Sequence, residues 1–147
     1  MDGDRERIVV GVDGSVPSVF ALRFALREAA ATGAQVEAVL VWQDPWAISG
    51  PPSLFGAGRS GIQRLEQVLA EAVEHAVDEE GGTTVPVTQR VVPGHPAEVL
   101  VEAGEGAKML VVGTTGLVGF KRWMLGSVSQ HCAELSRIPV VIVPVRD

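Results

Sequence analysis

Hydroxyls and glycines crowd the stretch LVVGTTGLVGFKRWMLGSVS, from Leu110 to Ser129 of a 147-residue chain. Their types and spacing suit one chemistry above others: holding an oxyanion. An apolar run, Met109 to Val112, stops at Gly113; Thr114, Thr115 and Gly116 follow, then nine residues and Gly126-Ser127, where a helical pattern begins. Strand, glycine loop and helix start together predict a phosphate cradle. Glycines let the backbone come close to the anion, and the free N–H groups and dipole of a helix start attract negative charge. The hydroxyls of Thr114, Thr115, Ser127 and Ser129 are candidate additional donors. Glycine is abundant here, 17 of 147 residues, so the spacing alone also fits an ordinary strand-to-helix loop.

A second candidate lies near the start, in IVVGVDGS from Ile8 to Ser15. Asp13 ends an apolar run and is a site-like carboxylate at a strand end. It also suits a simpler task, bracing the helix for which Ser15 is an N-cap. Other chemistries find little support. No G-x4-G-K-[ST] run occurs, and no G-x-G-x-x-G follows a strand. His75, His95, His131 and Cys132 do not fall at metal-ligand spacing. Cys132, four residues after Val128, reads as a small core residue. Asp13 has no acidic neighbour of the kind a phospho-acceptor needs. Lys121-Arg122 is the one cation pair near the glycines, and it reads as solvated or as approaching a phosphate. Hydrolysis needs an oriented water and groups that stabilise transition-state charge. None is evident, so the residues predict binding, with slow turnover at most.

The elements that must position these residues follow from periodicity. Ile8 to Val12 reads as a strand buried on both faces. Val16 to Thr32 is a helix, with Leu22, Ala25, Leu26, Ala29 and Ala30 on its inner stripe, stopped by Gly33. Ala34 to Trp42 is the second strand. Gln43 to Gly61 holds three prolines, four glycines, Trp46 and Phe55; it reads as a mobile loop or as a flap over a ligand. Ile62 to Asp78 is a helix with Ile62, Leu65, Leu69, Ala72, Val73, Ala76 and Val77 inward. Thr83 to Val92 is a strand that Pro86 places at an edge. His95 to Ala103 is a short helix with Val99, Leu100 and Ala103 inward. The glycine-motif strand follows, then a helix from Ser127 to Ser136 with Val128, Cys132 and Leu135 inward. Ile138 to Val143 is the last strand. Strands alternating with helices imply a single α/β domain: a parallel sheet with right-handed crossovers and helices on both faces. In such sheets ligands bind beyond the carboxyl ends of the strands, where the winding reverses.

At 46% hydrophobic and 20% charged residues the chain is globular in composition. Its net charge of −6 argues against a nucleic-acid binder. Its apolar runs are too short for a membrane span, and MDGDRERIVV lacks a secretory core. One cysteine, Cys132, fits a reducing compartment, and the expected location is cytoplasmic.

From Ile8 to Val143 the sequence resembles the universal stress protein family. The resemblance rests on IVVGVDGS, on GHPAEVLVEA, on the G-x2-G-x9-G-S spacing inside VVGTTGLVGFKRWMLGSVS, and on RIPVVIVPV. It implies an open five-stranded parallel sheet of order 3-2-1-4-5, Rossmann-like and of the adenine nucleotide alpha hydrolase type. It also implies membership of the ATP-binding subclass; with ATP, a Mg2+ ion bridging the phosphates is expected, held mainly by the nucleotide's own oxygens. By motif position, Asp13 would meet the adenosine end with Val12 beside it, and Val41 would contact adenine through its backbone. Gly113, Gly116, Gly126, Ser127 and Val128 would hold ribose and phosphates. The family commonly dimerises by antiparallel pairing of the last strand, here Val140 to Val143; that strand could instead be internal or covered by a loop. The function implied is a nucleotide-responsive stress regulator acting as a homodimer. The alternatives are a slow ATPase or nucleotidyl-transfer enzyme, and an interaction module that binds no nucleotide.

Overall fold

Runs of aliphatic and β-branched residues fill the centre of one parallel sheet. The structure, a computed structural model, describes residues 5–43, 59–114 and 126–146. Its strands are β1 (Arg7–Gly11), β2 (Gln35–Trp42), β3 (Val87–Pro93), β4 (Met109–Gly113) and β5 (Val140–Val143), in spatial order β3-β2-β1-β4-β5. All four pairings are parallel. The helices are α1 (Val16–Thr32), α2 (Arg59–Glu79), α3 (Pro96–Ala103) and α4 (Ser127–Leu135).

Alternation along the strands divides the core in two. Ile8, Val10, Val36, Ala38, Leu40 and Val111 face α1 and α2, against Ala21, Leu22, Ala25, Leu69 and Ala76. Val9, Val39, Leu110 and Val112 face the other way, towards Ala97 and Leu100 of α3 and Cys132 of α4. The three alanines at 21, 25 and 29 are 1% exposed or less, which lets α1 lie close on the sheet. Ser15 caps α1 by accepting the Ser18 N–H. Gly33 ends it in the left-handed region at φ 76°.

Several sequence expectations shift. In α1 the buried stripe includes Ala21 and leaves Ala30 exposed. β3 begins at Val87, not Thr83, because the Thr83 hydroxyl accepts the Val85 N–H and bends the chain there. Pro86 precedes the strand, and β3 is the edge that it signalled. β5 begins at Val140, since Ser136 and Ile138 close a local turn through two hydrogen bonds. In α3 Ala97 is buried in place of Val99. In α4 the buried residues are Ser129 and Cys132, while Leu135 is 52% exposed. β5 is the last strand, and no described element lies beyond it to receive Leu135. Most of the loop expected over 43–61 lies outside the described residues, as do Gly116 and Lys121-Arg122.

Candidate functional site

The strand order reverses between β1 and β4, so their carboxyl ends flank the crevice where open α/β sheets take ligands. At the end of β1, Val12 donates its N–H to Val39 O at 2.9 Å, and its side chain is buried in the core facing α1. Asp13 comes next and is exposed. Its Oδ1 accepts the Ser15 N–H at 2.9 Å and also the Ser15 hydroxyl. One oxygen therefore braces the turn into α1. The other has no partner among the described residues. Gly14 completes the turn at φ 83°, a conformation that side chains rarely adopt.

Gly113 ends β4 for a reason that the phosphate argument misses. A Cβ there would lie 2.8 Å from Pro17 Cβ and 2.9 Å from Pro17 O. The absent side chain lets the first turn of α1 pack on the strand end, so β1, α1 and β4 meet at this corner. Gly126, at φ −71° and ψ 164°, is the extended N-cap of α4 and supplies no side-chain cap. The first-turn amides of a helix have no intrahelical acceptor, and here those of Ser127, Val128 and Ser129 are uncapped. Ser127 is exposed, whereas Val128 packs against the core under α4 and could offer a ligand only its backbone. Thr114 O accepts the Gly126 N–H and so draws the start of α4 to the end of β4. Ser129 departs from expectation. Its hydroxyl is 2% exposed and is directed to Gly126 O at 2.9 Å and Thr114 O at 3.2 Å, so it is no oxyanion donor.

The geometry at Val41 follows from strand alternation. The ladder between β1 and β2 ends at Gly11 opposite Val39, with one further bond from Val12 N to Val39 O. Successive residues of a strand direct their N–H and C=O to opposite neighbours. Trp42 O faces β3, where it accepts the Gly94 N–H. The N–H and C=O of Val41 therefore face the β1 side, beyond the last rung, with no described partner. A donor and an acceptor stand side by side next to Val12 and Asp13. Val12, Asp13, Val41, Gly113, Gly126, Ser127 and Val128 thus gather at one end of the sheet.

Two features escaped the sequence reading. Gln43 Nε2 lies 3.2 Å from His95 Nδ1, joining the end of β2 to the residue that precedes α3. Glu37, 7% exposed, lies between two arginines: Arg7 reaches its Oε2 at 2.8 Å and Arg90 its Oε1 at 2.5 Å. Arg7 also donates to Ala103 O at the end of α3 and to Glu105 O just past it, so both carboxylate oxygens are engaged and the cluster is structural. A lone Glu in AQVEAVLVW was its only signal. Cys132 is fully buried, and that burial raises its thiol pKa to about 11, which rules it out as a nucleophile near neutral pH. No cluster of three or more His, Cys, Asp or Glu able to hold a metal occurs among the described residues. No described helix is long and apolar enough to cross a membrane.

An open, all-parallel five-stranded sheet with helices on both faces defines the Rossmann-like α/β class. The family model for the universal stress protein family matches residues 4–144, and the chain belongs to that family. Universal stress protein Rv2623 of Mycobacterium tuberculosis is 36% identical over 135 residues, 92% of this chain and 44% of that protein. Universal stress protein Rv2005c of the same organism is 35% identical over 141 residues, 96% of this chain and 46% of that protein. The chain thus spans about half the length of these curated relatives. Among solved structures, a universal stress protein in complex with cAMP is 30% identical at a TM-score of 0.67, with 94% of this chain and 95% of that one covered. One from Archaeoglobus fulgidus in complex with dAMP shares the fold at a TM-score of 0.69 and 21% identity, with 94% and 97% covered.

Proposed function

We propose that the chain binds an adenine nucleotide, ATP with Mg2+, in the crevice beyond β1 and β4, and that it works as a nucleotide-responsive stress regulator. The observation that carries this reading is the set of unmet polar groups at one end of the sheet. Val41 offers a donor and an acceptor suited to the edge of a base. Asp13 offers a free carboxylate oxygen suited to ribose hydroxyls. The uncapped start of α4, Gly126 to Val128, suits phosphates. Gly113 forms the floor, and Gly116, in the segment that follows, completes the motif. The complexes of two family structures with cAMP and dAMP support an adenine nucleotide as the class of ligand. Mg2+ would be held chiefly by the phosphate oxygens, since the described residues hold no cluster of three or more His, Cys, Asp or Glu able to take a metal.

The output we infer is ligand-dependent shape or association, without a dedicated hydrolytic step. The 147 residues act as one domain, and pairing through β5 makes the homodimer. β5 is an edge strand. Val141 N and Pro139 O face β4, so Val140 and Ile142 direct their N–H and C=O outwards. Val140→Pro removes one outward N–H and leaves the β4 ladder intact. Light scattering should then find a monomer of native circular dichroism; a dimer that persists would remove β5 from the interface. For the ligand, calorimetric titration of ATP with and without Mg2+ should give saturable binding. Absence of binding by folded protein would favour an interaction module instead.

A further inference from the structure

A helix start can grip an anion only if its direction is fixed, and the start of α4 is tied to the end of β4 at one junction. Thr114 O accepts the Gly126 N–H there. On that bond alone the first turn of α4 could swing. A second contact lies one helical turn further on, where the buried Ser129 hydroxyl reaches both Gly126 O, 2.9 Å away, and Thr114 O, 3.2 Å away. Two points along a helix set a direction, whereas one sets only a position.

We propose that Ser129 is a positioning residue: its hydroxyl aims the uncapped amides of Ser127 and Val128 at the anion without touching it. This rests on the nucleotide reading above. The alternative assignment, direct donation to a phosphate, conflicts with its burial and with the two carbonyls its hydroxyl faces. Loss of the hydroxyl should barely affect folding. In Ser129→Ala, Thr114 O keeps the Gly126 N–H and Gly126 O keeps the Gln130 N–H at 3.0 Å, so neither carbonyl is orphaned. The variant therefore isolates aim from stability.

The experiment compares wild type, Ser129→Ala and Ser129→Thr by titration with ATP and with adenosine, and by amide hydrogen exchange of the unliganded protein. Ser129→Ala should bind ATP about three- to tenfold more weakly, because binding must then order the start of α4 that the hydroxyl no longer holds. Adenosine, which lacks phosphates, should bind unchanged, and Ser129→Thr should restore ATP affinity. Exchange should quicken at the two bonded amides of the junction, Gly126 and Gln130, in the alanine variant and remain at wild-type rates elsewhere. Undiminished ATP affinity, or equal losses for ATP and adenosine, would overturn the assignment. Wild type that binds neither ligand would instead end the nucleotide reading. The exchange measurement then still decides the positioning role, since unchanged exchange at Gly126 and Gln130 overturns it on its own.

Discussion

The two ends of the sheet treat polar groups in opposite ways. Towards the amino ends, the carboxylate of Glu37 is bonded through both oxygens to Arg7 and Arg90, and Arg7 goes on to satisfy two carbonyls at and just past the end of α3. At the carboxyl ends, Asp13 uses one oxygen, Val41 passes the last rung of its ladder, and α4 starts without a cap. Saturated groups hold a fold together and have nothing left for a ligand. Groups left open at a crevice are compensated by water until something displaces it. The contrast separates framework from candidate site without appeal to any one motif.

The comparison is most sharply strained at Gly113, where site and framework overlap. Gly113→Ala drives a Cβ to within 2.9 Å of Pro17 O, so chemical denaturation should report a loss of about 2–3 kcal/mol, as overpacking does. Ligand affinity should fall with it, which makes this substitution a poor probe of binding. Wild-type stability would show that the corner between α1 and β4 yields freely. Glu37→Ala comes next. Arg7 and Arg90 are 33% and 52% exposed and can rehydrate, so the loss should be about 1–2 kcal/mol, below that of a fully buried pair. Nucleotide affinity should stay the same; a parallel fall would join the two ends of the sheet in one function.

Cys132, beneath α4, gives a pH signature. Below pH 9.0 the thiol is neutral in both states. Between 9.0 and about 11 it ionises in the unfolded chain but not in the buried site, so stability should fall as pH rises through that window. Cys132→Ala should flatten that slope in denaturation curves. An unchanged slope would assign it to other groups. The smallest effect on folding belongs to the exposed site residues. Ser127→Ala should change stability by no more than about 0.5 kcal/mol while weakening ATP, measured by melting and titration of the same sample.

Much of the framework was legible in the sequence because its signals are local. Ile8 to Val12 and Met109 to Val112 read as buried strands from their own composition, and Ser15 and Gly33 bound α1 as their chemistry predicts. Asp13 and Val41 were named by motif position, and strand alternation leaves the backbone of Val41 open on the β1 side. What was illegible depends on distant partners. Gly113 is shaped by Pro17, which only the fold brings near. Glu37 is matched by arginines 30 and 53 residues away. Ser129 looked like one more phosphate donor, since residue type does not reveal which way a hydroxyl turns. Leu135 fitted the inner stripe of α4, but the sheet ends before reaching it.

The most direct test is calorimetric titration of ATP into wild type and Asp13→Asn, with melting curves of both. Asparagine keeps an acceptor for the Ser15 N–H and removes the charge, so the turn into α1 should survive. Saturable binding by wild type, weakened at least about tenfold in Asp13→Asn at equal stability, is the result predicted for a nucleotide crevice at the carboxyl ends of β1 and β4. Equal affinity in the two proteins would contradict that location.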